Sequence, residues 1–100
     1  MVRTQDSARI QAIAAAAVIG LGLAMHVSPT EWCALVIAIA MVLTTEALNT
    51  SIEAIVDLVS PEFHPLAGRA KDVASGAVLI AAIGSMAIGL LVFAPHVWPN

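Results

Sequence analysis

Twenty-two consecutive residues, Val73 to Ala94, carry no charged side chain. A helix that crosses a bilayer needs roughly 20 predominantly apolar residues, so this stretch meets the requirement by itself. Two more apolar stretches precede it. Ala12 to Met25 extends to about 10–27 if Gln11 and His26 lie at the interface, and it is the shorter and more Ala-rich of the two. The other begins at Trp32, stays apolar to Leu43 and continues with helical periodicity to Val59.

Composition agrees with lipid as the solvent. Hydrophobic residues make up 60% of the 100-residue chain and charged ones 11%, whereas soluble domains run near a quarter charged. Alanine occurs twenty times, and small residues let helices approach closely within a membrane. Four basic residues and a net charge of −3 leave no electrostatic footprint for nucleic acid. Cys33 is the single cysteine, so no internal disulfide can form. The expected fold is an all-α membrane protein with three transmembrane helices per chain, spanning about 10–27, 32–59 and 66–94 of one domain over residues 1–100.

The breaks between spans have their own chemistry. Ser28-Pro29-Thr30-Glu31 reads as a helix start: Ser28 caps, Pro29 takes the first helical position, and Glu31 faces the positive end of the helix dipole. Ser60 to Pro65 forms the second connection, with Pro65 opening the third helix and Pro95 and Pro99 closing it. Arg3 and Arg9 precede the first span, while Arg69 and Lys71 follow the second. All four therefore fall on one side, which puts the N-terminus and the second connection in the cytoplasm. A cleaved signal peptide would also explain an apolar start, but no small-x-small cleavage site follows it.

The second helix carries acids where lipid would exclude them. Glu46, Asn49, Glu53 and Asp57 fall within a sector of roughly 80° at 100° per residue. With Trp32 at the outer interface, Glu46 lies about 21 Å deep and Glu53 about 31 Å, near the far edge of a roughly 30 Å core. A carboxylate inside the bilayer costs on the order of 3 kcal/mol, which makes Glu46 a functional candidate. A helix that emerges early would excuse Glu46 alone, but not three further polar residues on its face. Arg69-Ala70-Lys71-Asp72 lies level with Glu53, where a lysine can hold phosphate and an aspartate a divalent metal. The bland reading of Arg69 and Lys71 is positive-inside anchoring. His64 can bond a nucleotide, or be merely solvated; His26 and His96 read as interfacial and without chemical role. Gly20-Leu21-Gly22 has no following Gly-Lys and forms no phosphate loop. Ala77, Ala81, Ser85 and Gly89 form a stripe of small residues suited to close packing.

Glu46-Ala-Leu-Asn49-Thr-Ser-Ile-Glu53-Ala-Ile-Val-Asp57, followed by the segment from His64 to Leu79 with Ala70-Lys71-Asp72-Val-Ala-Ser75, strongly resembles the small integral-membrane lipid kinases of bacteria. These form the diacylglycerol kinase and undecaprenol kinase family, and the resemblance runs from about Gln5 to Pro95. It implies a homotrimer with active sites shared between subunits, ATP as cosubstrate and Mg²⁺ as cofactor. It also implies an inner-membrane, cytoplasm-facing site for phospholipid or envelope-lipid recycling. By the same resemblance, Glu46 matches the general base that takes the proton from the lipid hydroxyl, and Glu53 a metal-holding carboxylate beside the phosphates. Glu62, His64, Lys71 and Asp72 match nucleotide contacts together with Glu53. Trp32, Ser75 and Arg9 match lipid contacts, with Asn49 and Asp57 in support.

The N-terminal segment departs from the pattern. The family's E-x-N-x-R-I-H reads here Gln5-Asp6-Ser7-Ala8-Arg9-Ile10-Gln11. Gln5 replaces the second metal carboxylate, and a neutral amide is a poorer Mg²⁺ ligand. The basic amphipathic surface helix that usually precedes this segment is not expected either. Two other function classes compete with an active kinase. A catalytically impaired relative would bind lipid or nucleotide without turnover. A small ion conductor would use the acidic face but leave Lys71 and Asp72 unexplained.

Overall fold

The computed structural model describes residues 4–62 and 64–97, with the side chains of residues 4–8 outside that description. The chain forms three helices: α1 (Thr4–Met25), α2 (Pro29–Val59) and α3 (Pro65–Val97). It is all-α, as expected from the apolar runs. Helices α2 and α3 have 31 and 33 residues and are long and apolar enough to cross a membrane. In α1 the apolar portion, Arg9–Met25, is shorter.

The helices run up, down and up. Glu31 meets His96, Ala38 meets Ser85 and Asp57 meets Lys71 across α2 and α3, so residue numbers fall on one helix as they rise on the other. Gly22 lies against Trp32 and Gln11 bonds Glu46 across α1 and α2, which is antiparallel again. The start of α1, the end of α2 and the start of α3 therefore share one end of the molecule.

At the opposite end, α1 turns into α2 through three residues whose roles interlock. His26 has φ 53, the left-handed conformation in which helices commonly terminate. The Val27 amide donates back to the Gly22 carbonyl at 3.3 Å, and Val27 is buried with Leu35 and Val92. Ser28 then caps α2 as expected, accepting from the Glu31 amide at 3.2 Å while Glu31 accepts from the Ser28 amide at 2.8 Å. Val27 and Trp32, flanking that cap, both belong to the same apolar cluster, which fixes the angle between the helices.

Two boundaries differ from expectation. Helix α1 starts at Thr4 and stops at Met25, because the left-handed His26 ends it before Val27. Helix α3 runs through Pro95 to Val97. The physical reason lies in the last turn: His96 donates through Nε2 to the Glu31 carboxylate at 3.0 Å, tying that turn to the start of α2. His96 is thus a structural tie, not a bare interfacial residue.

Between α2 and α3 the seam is built of small side chains. Ala38, Ala74 and Ala81 are buried there, and the Ser85 hydroxyl donates to the Ala38 carbonyl at 3.0 Å. Of the expected stripe, Ala81, Ser85 and Gly89 turn inward while Ala77 stays exposed and Ala74 takes its place. Large apolar residues point outward instead: Leu91 is 77% exposed and Ile80 73%. The chain exposes 7225 Å², against roughly 5,400 Å² for a folded soluble protein of this mass. This excess apolar surface needs lipid or other subunits to cover it.

Gly22 is the tightest point. A Cβ built there would lie 2.6 Å from the Trp32 ring, whereas one on Gly20 would meet nothing within 4 Å. Gly22→Ala should therefore displace the indole and cost about 1–3 kcal/mol. Gly20→Ala should gain up to about 1 kcal/mol from helix propensity. Thermal melts of both variants in one detergent should shift in opposite directions.

Candidate functional site

The acidic face of α2 emerges from the protein by degrees. Glu46 is only 7% exposed, Asn49 and Glu53 are half-buried, and Asp57 is exposed. Packed protein thus surrounds the first acid, and the last is open at the surface. Each polar group along the face has a neighbour from a different source.

Glu46 accepts a hydrogen bond from Gln11 Nε2 of α1 at 3.3 Å. One turn further, Asn49 Nδ2 donates to Glu53 Oε1 at 2.8 Å, a side-chain pair four residues apart on one helix. Two buried acceptors, Gln11 Oε1 and Asn49 Oδ1, have no donor among the described residues. Buried polar atoms are nearly always bonded, so both mark places built for a further group. Hydroxyls nearby are satisfied locally: Thr45 Oγ1 bonds the Met41 carbonyl at 2.9 Å, and Ser51 Oγ bonds that of Ala47 at 3.0 Å.

At the end of the hairpin, Asp57, Glu62, His64 and Lys71 surround one pocket of about 210 Å³. Lys71 forms an ion pair with Asp57 at 2.5 Å. His64 accepts the Leu66 amide at Nδ1, 3.1 Å away, and so caps the start of α3. Its Nε2 is then the nitrogen left to donate. Three of the residues expected at a nucleotide site, Glu62, His64 and Lys71, are therefore assembled by the turn between α2 and α3. On the neighbouring face, α2 and α3 enclose a groove of about 600 Å³ lined by Thr45, Asn49, Ile52, Arg69, Val73 and Ala77.

Other expected residues stand apart. Asp72 and Ser75 are exposed, and Arg9 is exposed on α1. Trp32 packs against Gly22 at the far end of α2, 14 residues and about 21 Å from Glu46. The side chain of Gln5 lies outside the described residues. Among the described residues, no three His, Cys, Asp or Glu side chains gather as a metal site. Glu53 nonetheless presents a carboxylate oriented by Asn49. That suits Mg²⁺, which is commonly held by one or two carboxylates together with substrate phosphates and water. Gln11 is the residue that sequence reasoning missed: it was read as an interfacial group and a departure from the family segment. The antiparallel register of α1 on α2 could have paired it with Glu46.

This arrangement coincides with a known family. Residues 1–93 match the family described as prokaryotic diacylglycerol kinase. The chain is 43% identical to the undecaprenol kinase of Bacillus subtilis over 93 residues, which are 93% of this chain and 76% of that protein. It is 39% identical to a diacylglycerol kinase of Synechocystis sp. over 86% of this chain and 50% of the relative. Against the diacylglycerol kinase of Escherichia coli it is 51% identical over 49% of this chain and 40% of the relative. The chain belongs to the prokaryotic diacylglycerol kinase family, whose members are membrane lipid kinases.

The unpartnered Asn49 acceptor gives a test of the site's internal logic. Asn49→Leu keeps the branching and heavy-atom count of the side chain, removes the orphaned Oδ1 and takes away the donor to Glu53. Melting should be unchanged or raised, because a buried unsatisfied acceptor costs about 1–3 kcal/mol. Phosphorylating activity should fall all the same. A variant both stable and fully active would separate Asn49 from Glu53's task.

Proposed function

We propose that this chain transfers the γ-phosphoryl group of ATP to the hydroxyl of a membrane lipid. The observation that carries this reading is the graded face of α2: a buried carboxylate, continuous with a half-buried carboxylate and with a lysine-bearing pocket at the exposed end. In the reaction the lipid oxygen bonds to the γ-phosphorus, the bond from that phosphorus to the β–γ bridging oxygen breaks, and ADP leaves. Glu46 accepts the hydroxyl proton as the oxygen attacks. Phosphoryl transfer depends chiefly on positioning and on neutralising charge. Lys71 supplies positive charge at the phosphates once it exchanges Asp57 for them, and His64 Nε2 supplies a donor to nucleotide. Asp72, exposed beside Lys71, belongs to the same surface.

Mg²⁺ would be held by Glu53, and when bound it would neutralise charge on the phosphate oxygens. Asn49 keeps one oxygen of that carboxylate engaged and leaves the other for the ion. The backbone of Gln5 lies six residues before Gln11 on α1. By helical register this is about 9 Å nearer the aqueous end, level with residues 52–53. A second ligand would enter from that position.

The lipid reading is undecaprenol ahead of diacylglycerol. It rests on the Val73-Ala-Ser-Gly-Ala-Val and Phe93-Ala-Pro95 segments, and on the name and extended coverage of the Bacillus subtilis relative. Trp32, Ser75 and Arg9 are the lipid contacts in this reading. The protein works as a homotrimer with sites shared between subunits, which also covers the exposed apolar faces of α2 and α3. It lies in the inner membrane with the N-terminus and Lys71 in the cytoplasm, following Arg9, Arg69 and Lys71.

Transfer of labelled phosphate from ATP, measured with undecaprenol and with diacylglycerol in the same bilayers, tests the proposal. Label should enter undecaprenol faster; transfer to neither lipid by assembled protein would mark a binding protein without turnover. Magnesium titrations of two variants test the metal position. Glu53→Ala should raise the magnesium needed for half-maximal rate, whereas Gln5→Glu should lower it by adding an anionic ligand. Unmoved curves would place the ion elsewhere.

A further inference from the structure

We infer that Gln11 is the positioning residue for Glu46, holding one carboxylate oxygen so that the other meets the acceptor hydroxyl. The inference rests on the reading of Glu46 as the base. Its geometric ground is the 3.3 Å hydrogen bond from Gln11 Nε2 to Glu46 Oε2, made between two helices 35 residues apart in sequence. Glu46 is buried, and among the described residues this is the one hydrogen bond its side chain receives. A carboxylate is acceptor-only when ionised, so a single donor divides its two oxygens by role. Oε2 is anchored and Oε1 is left to take a proton.

The amide can lie only one way round. Turning it over would set Gln11 Oε1 against Glu46 Oε2, two acceptors facing each other away from water. In the observed orientation Oε1 is buried with no donor among the described residues. Gln11 also lines a cavity of about 120 Å³ with Val18, Leu35, Ile39, Val42 and Ser85, so its surroundings are mostly apolar.

A glutamine here has a chemical consequence: it donates at every working pH and cannot take the proton itself. Helix α1 has no ionisable side chain between Arg9 and His26, and α3 has none between Asp72 and His96. On α2 the ionisable neighbours in sequence are Cys33 and Glu53; Arg9, Cys33 and Asp72 are exposed, and the Asp6 side chain lies outside the described residues. Among the described side chains, Glu46 is the buried carboxylate placed to take the proton from the lipid.

The test uses Gln11→Met, which keeps the length and bulk of the side chain without its donor, and Gln11→His, which restores a ring N–H. Each protein is assayed in the same bilayers for kcat and for the KM of ATP, with Glu46→Gln in parallel. Gln11→Met should lower kcat by about 10-fold or more and leave the ATP KM unchanged. Gln11→His should recover most of the rate at pH values where the imidazole is neutral. Wild-type kcat in Gln11→Met, with Glu46→Gln inactive, would overturn the role of Gln11 alone. So would a loss of rate with no recovery by histidine, since a purely structural residue would behave that way. Activity retained in Glu46→Gln would instead overturn the base itself.

Discussion

A carboxylate buried in a membrane helix must find a donor or lose its charge, and the rest of this molecule is arranged around that demand. Glu46 sits where insertion costs on the order of 3 kcal/mol, and it is met by an amide that reaches across from α1. For that contact to exist, α1 must run antiparallel to α2 in a fixed register. The register is set far away, at the tight turn where Val27 closes the end of α1 and flanks the cap of α2. The Trp32 ring on the bare backbone of Gly22 then holds the two helices at contact distance. Small residues do the same for α2 and α3, with the Glu31–His96 tie at the outer end. One end of the bundle is clasped so that the other can present polar groups in register.

The proposed function follows from the gradient this creates. Lipid hydroxyls and nucleotide phosphates belong to different solvents, and the proposed reaction needs a single helix face that reaches both. Glu46 lies in the dry part, Asn49 and Glu53 bridge, and the pocket of Asp57, Glu62, His64 and Lys71 opens to water. Because each helix satisfies its own backbone groups, the face can lie open toward acyl chains without exposing unpaired amides. The side chains alone carry the polarity, and Glu46, Asn49, Glu53, Asp57, His64 and Lys71 are each steadied by one neighbour.

Much of this was legible in the residues. Apolar runs and prolines located the helices, Ser28 and Glu31 announced the cap, and the spacing from Glu46 to Asp57 announced an acidic face. What stayed hidden depended on contacts between distant segments. Gln11 looked like a lost family residue until α1 was seen against α2. His96 looked interfacial until its bond to Glu31 was seen, and with it the reason that α3 continues past Pro95. The left-handed His26 was unreadable because histidine is not the residue that usually takes that conformation. The packing of Trp32 on Gly22 was hidden as well, because nothing local distinguishes Gly22 from Gly20 two residues earlier.

The most direct test of the account is single-turnover phosphoryl transfer by Glu46→Gln in the assembled protein, with nucleotide binding measured on the same sample. Glutamine keeps the shape of the side chain and cannot accept a proton, so binding should persist while transfer falls by about 100-fold or more. Transfer at close to the unsubstituted rate would contradict the assignment of the buried carboxylate as the base.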